Sequence, residues 1–448
     1  MALLCLALSS CGSSAGQRLR TSFQQTTGRI TLPAGTIEIT EPLVLAAGAH
    51  DIRIVEAPAG STLKLAPQFR GKAAVVGERV SNITISGFRI VGHRTSLRTD
   101  RYLPPWNVSF LAYYDHNGIV LSNSRNITIR DISLEQIESF PILISHCDRV
   151  GIERISIENA GTLNRRGHNN TTGGILLEEG TSDFNVTQCR IHSICGNAIW
   201  THSNAGSPRN QNGVIEENEI SSVARDAIQV GHALRVRVSR NHGSRIGTPA
   251  DQIDVEALAT PVALDSAGNV DQSIYESNDF TDVNGQCIDL DGFHDGKVEK
   301  NSCTNRLPLQ SYPFLHAGIV FGNSSPEVSP GRVLVRGNVI EGFGYGAVFL
   351  VGEKNEITDN SFIDLNRRHC AGDLKIEACN YALDEPDMLR SGIYLASHAA
   401  RPARTAGNVI AHNVIRGFGM ISTRCVVAGP GVKLLDNHVR ANKCDSTQ

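Results

Sequence analysis

The chain has 448 residues, 40% of them hydrophobic and 19% charged, with a formal net charge of −3 and a mean hydropathy of −0.15. That balance gives no basic patch for nucleic acid, and beyond the N-terminus no stretch of about 20 apolar residues is there to span a bilayer. Length alone suggests two or three domains, but a repeating chain grows in one dimension and reads as a single domain.

Residues 1–11, Met-Ala-Leu-Leu-Cys-Leu-Ala-Leu-Ser-Ser-Cys, run apolar, then small, then Cys. They resemble the end of a bacterial lipoprotein signal, with Leu8 to Cys11 as the lipobox and Cys11 as the lipidated residue. The basic segment that opens such a signal is not in this sequence. Residues 12–27 then form a tether or an N-terminal cap. The resemblance implies export, to the periplasm, the outer membrane or the medium. Cysteine usage agrees with export. Nine cysteines follow the signal, and the near neighbours 189 with 195, 287 with 303, 370 with 379 and 425 with 444 allow four disulfides with Cys147 left over.

From residue 28 the chain turns strand-like. Ile30-Thr-Leu-Pro-Ala-Gly-Thr opens a series of short apolar segments. Asn82-Ile-Thr-Ile and Asn126-Ile-Thr-Ile then alternate apolar and polar residues, the pattern of half-buried strands. An Asn precedes an apolar strand at a fixed offset in three copies, at Asn218, Asn278 and Asn338. Further Asn, at 241, 301, 360, 413 and 437, mark a period of about 23 residues, the mark of a solenoid whose units bury their apolar faces only by stacking. Asn suits such bends because it tolerates left-handed backbone and bonds to nearby backbone groups. Stacked, these residues predict an internal hydrogen-bonded ladder. On these features residues 28–440 resemble the right-handed parallel β-helix of pectin-acting lyases and polygalacturonases. The fold class expected is all-β, one parallel β-helix domain with loop insertions on one face and a tail at 441–448.

Irregular insertions fall near 94–117, 162–173, 203–213, 243–260, 304–316 and 364–391. The first holds Tyr102, Trp106, Phe110, Tyr113 and Tyr114 in a chain with only 5% aromatics. Loops gathered on one face of a rigid scaffold usually bind something. Aligning the strands after each insertion places Leu177, Trp200, Gln229, Asp289 and Phe321 in one column, with Asp265 a candidate member. The neighbouring positions are His146, Glu178 and Glu179, His202, His232, and Asp291 with His294. A one-residue slip turns a side chain to the other face.

Carboxylates and imidazoles in one column suit acid–base chemistry on a glycosidic bond. The candidate catalytic residues are Asp289, Asp291, His294, His232 and His202. The candidate substrate-binding residues are Trp200, Gln229, Glu178, Glu179, His146, Trp106, Tyr113, Tyr114 and Arg165. The expected partner is a polysaccharide or oligosaccharide, the protein is expected to act as a monomer, and no cofactor is required, with Ca²⁺ the alternative occupant of the Asp289–His294 group. The resemblance selects no single activity. The Asn-Thr-Asp, Asp-Asp and Gly-His-Gly motifs of polygalacturonases do not occur, no Arg base sits in the column as in pectate lyases, and Phe293-His294-Asp295 only loosely resembles the Asp-Pro-His-Asp of alginate epimerases. Glycoside hydrolysis leads; uronate lyase or C5-epimerase action, and a non-catalytic glycan-binding or structural solenoid, are the alternatives.

Overall fold

The computed structural model describes residues 9–94, 97–254, 260–328, 330–370, 387–420 and 425–447. The expected all-β parallel β-helix is present, and it divides into two compact units, Met1–Glu219 and Ile220–Gln448. Coils of a repeat contact only their neighbours, so periodicity alone carries no boundary. Each unit is a parallel β-helix with three strands per coil.

In the first unit, equivalent residues stack strand on strand without slippage. Ile52, Ile83, Ile127, Val150 and Phe184 follow one another on successive coils, all pointing inward and buried. The alternation of Ile and Thr in these strands is what fixes that register, since a slip would expose every Ile. A helix, Ser9–Ser22, occupies the segment read as tether or cap. It packs on the strands Gly35–Ile39 and Leu43–Val44, burying Leu19 and, just beyond it, Phe23.

The second unit carries the asparagine ladder. The Asn241 amide donates to Asn278 Oδ1 at 2.9 Å, Asn278 to Asn301 at 2.8 Å, Asn301 to Asn338 at 3.0 Å and Asn338 to Asn360 at 3.0 Å. Asn360 continues to Asn413, and Asn413 to Asn442, both at 2.9 Å. Each acceptor oxygen also takes the backbone N–H of the preceding rung, as at Asn301 N to Asn338 Oδ1, 2.9 Å. Asn437 departs from the expected spacing. It ends a second, parallel ladder of Asn355, Asn408 and Asn437.

Disulfides join Cys287 to Cys303 and Cys425 to Cys444. Cys370 is also disulfide-bonded; Cys379, its expected partner, lies outside the described residues. The expected 189–195 bridge is corrected, because both are free, buried thiols. They flank the strand Arg190–Ile194 at its two ends. An extended segment rising about 3.3 Å per residue puts them far beyond the roughly 4.4–6.8 Å between Cα atoms that a disulfide spans. The Cys425–Cys444 bridge ties down the terminal strand Lys443–Thr447. Replacing both cysteines by Ser should cost about 3 kcal/mol, read as a lower urea midpoint than the oxidised parent; equal midpoints would leave the bridge without a stabilising role.

Candidate active site

The principal cavity of the second unit, about 710 Å³, opens on the outer face of one sheet. Its floor comes from consecutive strands in strict register, where Gln229, Asp265, Asp289, Val320 and Phe349 lie one above another. Asp226 stands three residues before Gln229 at the strand entry, and its Oδ1 accepts the Val262 N–H at 3.1 Å. The walls include His316, Tyr345, Leu389 and His398.

The carboxyl groups are unusual in their environment. Asp226 is 2% exposed and Asp265 is 7% exposed. Burial pushes Asp226 up to about 6, against the pull of the Arg225 guanidinium, 3.6 Å away, and of the Val262 N–H. Burial first, then repulsion from Asp226 and Asp289, holds Asp265 well above the usual carboxylate range; the Gln229 amide, which donates to its Oδ2, opposes this. Asp289 is raised in the same way, by burial and then by Asp291 and Asp226. Its Oδ1 is buried with no hydrogen-bond partner among the described residues. Several acids in one dry site resist ionising together, so as a group they hold protons to higher pH than an ordinary Asp does. The His316 ring faces the opposite pressure. Burial, and then Arg368, lower it to about 4, so it stays a neutral imidazole.

The structure brings together Gln229, Asp289 and Asp291 of the expected residues, and Asp265 joins them. Asp291 sits at the rim with its carboxylate engaged by the Ser324 N–H at 2.7 Å, the Ser324 hydroxyl and the Gly268 N–H. His232 and His294 are not among the cavity-lining residues. His232 lies at a bulge between Gly231 and Ala233 with φ 45°, which takes its side chain out of the row. Gly292 (φ +66°) bends the chain after Asp291, where any Cβ would fall 1.3 Å from the Gly268 carbonyl oxygen. Beyond that bend His294 pairs alongside Asp271, its Nε2 3.6 Å from the Asp271 carboxylate.

The remaining candidates lie in the first unit, and several are corrected. Trp200 is in register with Leu176, not Leu177, so the sequence alignment is off by one there. It is 5% exposed beneath Phe110, Tyr114 and Phe140, with the Phe110 and Trp200 rings 4.8 Å apart. The aromatic insertion therefore covers this sheet face as a small core instead of walling an open groove, and Trp200 and Tyr114 are packing residues. Glu178 is buried and accepts the N–H groups of Phe110 and Leu111, each at 2.9 Å, which pins the insertion down. Burial raises it to about 7 against those two bonds. Glu179 accepts the Asn204 N–H at 3.2 Å, and His202 packs edge-on to Phe110 and Trp200. Tyr113 is half-buried against Tyr114, and His146 is exposed beside Ser145. Arg165 forms an exposed pair with Asp100. Trp106 is 81% exposed.

Among the described residues, two groups bring potential metal ligands within 4.8 Å of one another, Glu178 with Glu179 and His202, and Asp271 with His294 and Asp295. Backbone donors already occupy Glu178, and Arg332 occupies Asp295.

Sequence reasoning missed Asp226, His316 and the wall formed by residues 398–400. Asp226 was visible as the one charged residue at a strand-entry position that Gly, Pro, Asn or Gln fills in most of the other coils and Val262 fills in the next.

Residues 73–249 match the family model described as a right handed beta helix region. Among solved structures, the Dettilon tailspike protein is similar at 14% identity and a TM-score of 0.54, over 78% of this chain and 62% of that one. The catalytic unit of a thermostable GH87 α-1,3-glucanase from Streptomyces thermodiastaticus strain HF3-3 is similar at 12% identity and a TM-score of 0.53, over 97% and 67%. DFA-IIIase from Arthrobacter chlorophenolicus A6, in complex with GF2, is similar at 12% identity and a TM-score of 0.50, over 96% and 94%. The chain spans 54% and 62% of the length of the first two structures it matches. No curated protein matches it. At these identities the likeness is one of fold, and the fold is a right-handed parallel β-helix.

Proposed function

We propose that the protein is an exported glycoside hydrolase whose catalytic pair, one carboxyl as acid–base and one as nucleophile, comes from Asp265 and Asp289, with Asp226 as the third carboxyl of the site. The observation that carries this reading is the register row of Asp265 and Asp289 on adjacent strands of one cavity floor. Neighbouring strands put their side chains about 4.8 Å apart, near the spacing at which one carboxyl protonates the leaving oxygen while the other, ionised, bonds to the sugar carbon, after which the first, now a base, takes a proton from the water that releases the sugar. The raised affinity of the group for protons supplies an acid near neutral pH, which an ordinary Asp does not. Gln229 orients Asp265 through its hydrogen bond, and His316, kept neutral, offers a hydrogen bond to a sugar hydroxyl. Asp291 positions the Ser324 segment at the rim. Two β-helix neighbours are named as an α-1,3-glucanase and as DFA-IIIase, which supports a carbohydrate substrate. The disulfides and the lipobox-like Cys11 support export.

The test is a panel of polysaccharides and oligosaccharides assayed in parallel for new reducing ends and for the ultraviolet absorbance of unsaturated products. Hydrolysis gives the first without the second; unsaturated products would assign a lyase instead. The pH profile adds a second check. The proton donor must be protonated to act, and its affinity is raised from the ordinary 3.8. Activity should therefore persist well above pH 4 and fall only as pH rises through the elevated value. A profile already lost by pH 5 would contradict the assignment.

A further inference from the structure

We propose that the substrate is a neutral saccharide, one of whose non-reacting rings lies on the face of Phe349. This rests on the hydrolase reading of the same cavity and deepens it.

The row that carries Asp265 and Asp289 does not end at the carboxyls. It continues through Val320 to Phe349 and Tyr394 on the next strands of the sheet. Phe349 stands two coils beyond Asp289, about 10 Å at the usual strand spacing. A ring seated there is not the one that reacts. Phe349 is half-buried and lines the cavity, whereas Tyr394 is 2% exposed. The two rings are near-parallel, 20° apart in plane with centroids at 6.3 Å. Tyr394 thus backs Phe349 and fixes its orientation, leaving one aromatic face for a ligand. Sugar rings present C–H faces that such a platform receives, and an aromatic held rigid loses little entropy on binding.

Charge selects against an acidic sugar. The cavity is lined by the carboxyls of Asp226, Asp265, Asp289 and Asp291. Among the described residues, Arg225 is the sole Lys or Arg of the lining; it is 3.6 Å from the Asp226 carboxylate through Nε, and its Nη1 is buried with no hydrogen-bond partner. A uronate carboxylate entering this site would meet four carboxyls, at least one of them ionised during catalysis, against the single Arg225 cation, and would raise the cost of that ionisation, which weakens binding. Val320 is the strand neighbour of Phe349, and the cavity lining also includes the apolar Ala317, Met388 and Leu389, which suit the C–H surface of a neutral ring.

Isothermal titration and steady-state kinetics on the full chain test this with neutral glucan, fructan and xylan oligosaccharides against oligogalacturonate and oligoalginate. Neutral oligosaccharides should bind and uronates should not. Phe349→Ala should weaken binding about tenfold or more, raising KM more than it lowers kcat, and Phe349→Trp should restore it. If nothing is cleaved but neutral oligosaccharides bind and lose tenfold in Phe349→Ala, the hydrolase reading fails and this inference stands. It is overturned if uronates bind as well as neutral sugars, if Phe349→Ala leaves affinity unchanged, or if no saccharide binds.

Discussion

Asp289→Asn and Asp265→Asn should each lower kcat by about 10²–10⁴-fold, the usual consequence of losing a positioned acid or base. Both should fold normally and be more stable than the parent at neutral pH. The sign follows from the direction of the shifts. A carboxyl whose affinity for protons is raised in the fold favours the folded state while protonated. That contribution is complete below the unfolded value near 3.8 and is lost as pH rises through the folded value, about 6 for Asp226 and well above 3.8 for Asp265 and Asp289. Above that window the parent folds against its own buried charges, and an amide removes one of them. Melting temperature against pH should therefore show the variants gaining on the parent as pH rises from 5 to 8. Opposing groups exist, since Asp131 and Asp295 are held below the usual range by Arg154 and Arg332, and these weaken the fold at low pH in parent and variant alike. Variants that lose activity and also lose stability at neutral pH would show the carboxyls to be structural.

The second large effect concerns the ladder. Asn338 accepts the Asn301 N–H and side-chain amide and donates to the Val298 carbonyl and to Asn360. It is fully buried. Asn338→Ala leaves several of these partners unsatisfied in a dry interior, each costing about 1–3 kcal/mol. Allowing for relaxation, the loss should be about 3–5 kcal/mol, at the severe end for a single substitution. Asn82 and Asn126 form a similar pair on the exposed surface, 2.7 Å apart. Asn82→Gly, which keeps the left-handed backbone of φ 55°, should cost under about 1 kcal/mol. Urea denaturation of the two variants compares them directly, and equal losses would mean that the internal rungs contribute no more than surface bonds.

Much of this architecture was legible because two periods coincide in the sequence. The alternation in strands such as Asn126-Ile-Thr-Ile gives the buried face, and the recurring Asn gives the bend. From these the coil register follows, and with it the row of Gln229, Asp265 and Asp289. The alignment failed where a strand begins one residue earlier or later than its neighbour. Trp200 was set against Leu177 and Phe321 against Asp289, but the partner of Asp289 is Val320. The same alignment set Phe349 in the column with Asp289, and there the register agrees. Loop placement was less legible still. The density of aromatics at 102–114 signalled an important segment, but whether an insertion packs down or stands open depends on contacts such as Glu178 with Phe110, which no periodicity encodes. Cys189 and Cys195 misled for a related reason. They are close in number but separated by an extended strand.

Successive rungs of the main asparagine ladder are 37, 23, 37, 22, 53 and 29 residues apart in the chain. Yet the amide contacts between them vary only from 2.8 to 3.0 Å. The bends thus register each coil independently of how much chain intervenes. Loop-closure entropy grows only slowly with length, so lengthening an excursion disturbs the stack little. Such a scaffold is modular in the engineering sense. The excursions that border the carboxyl row can be exchanged for segments of different length and composition, recasting what the cavity accepts, while the rungs keep Asp265 and Asp289 in place.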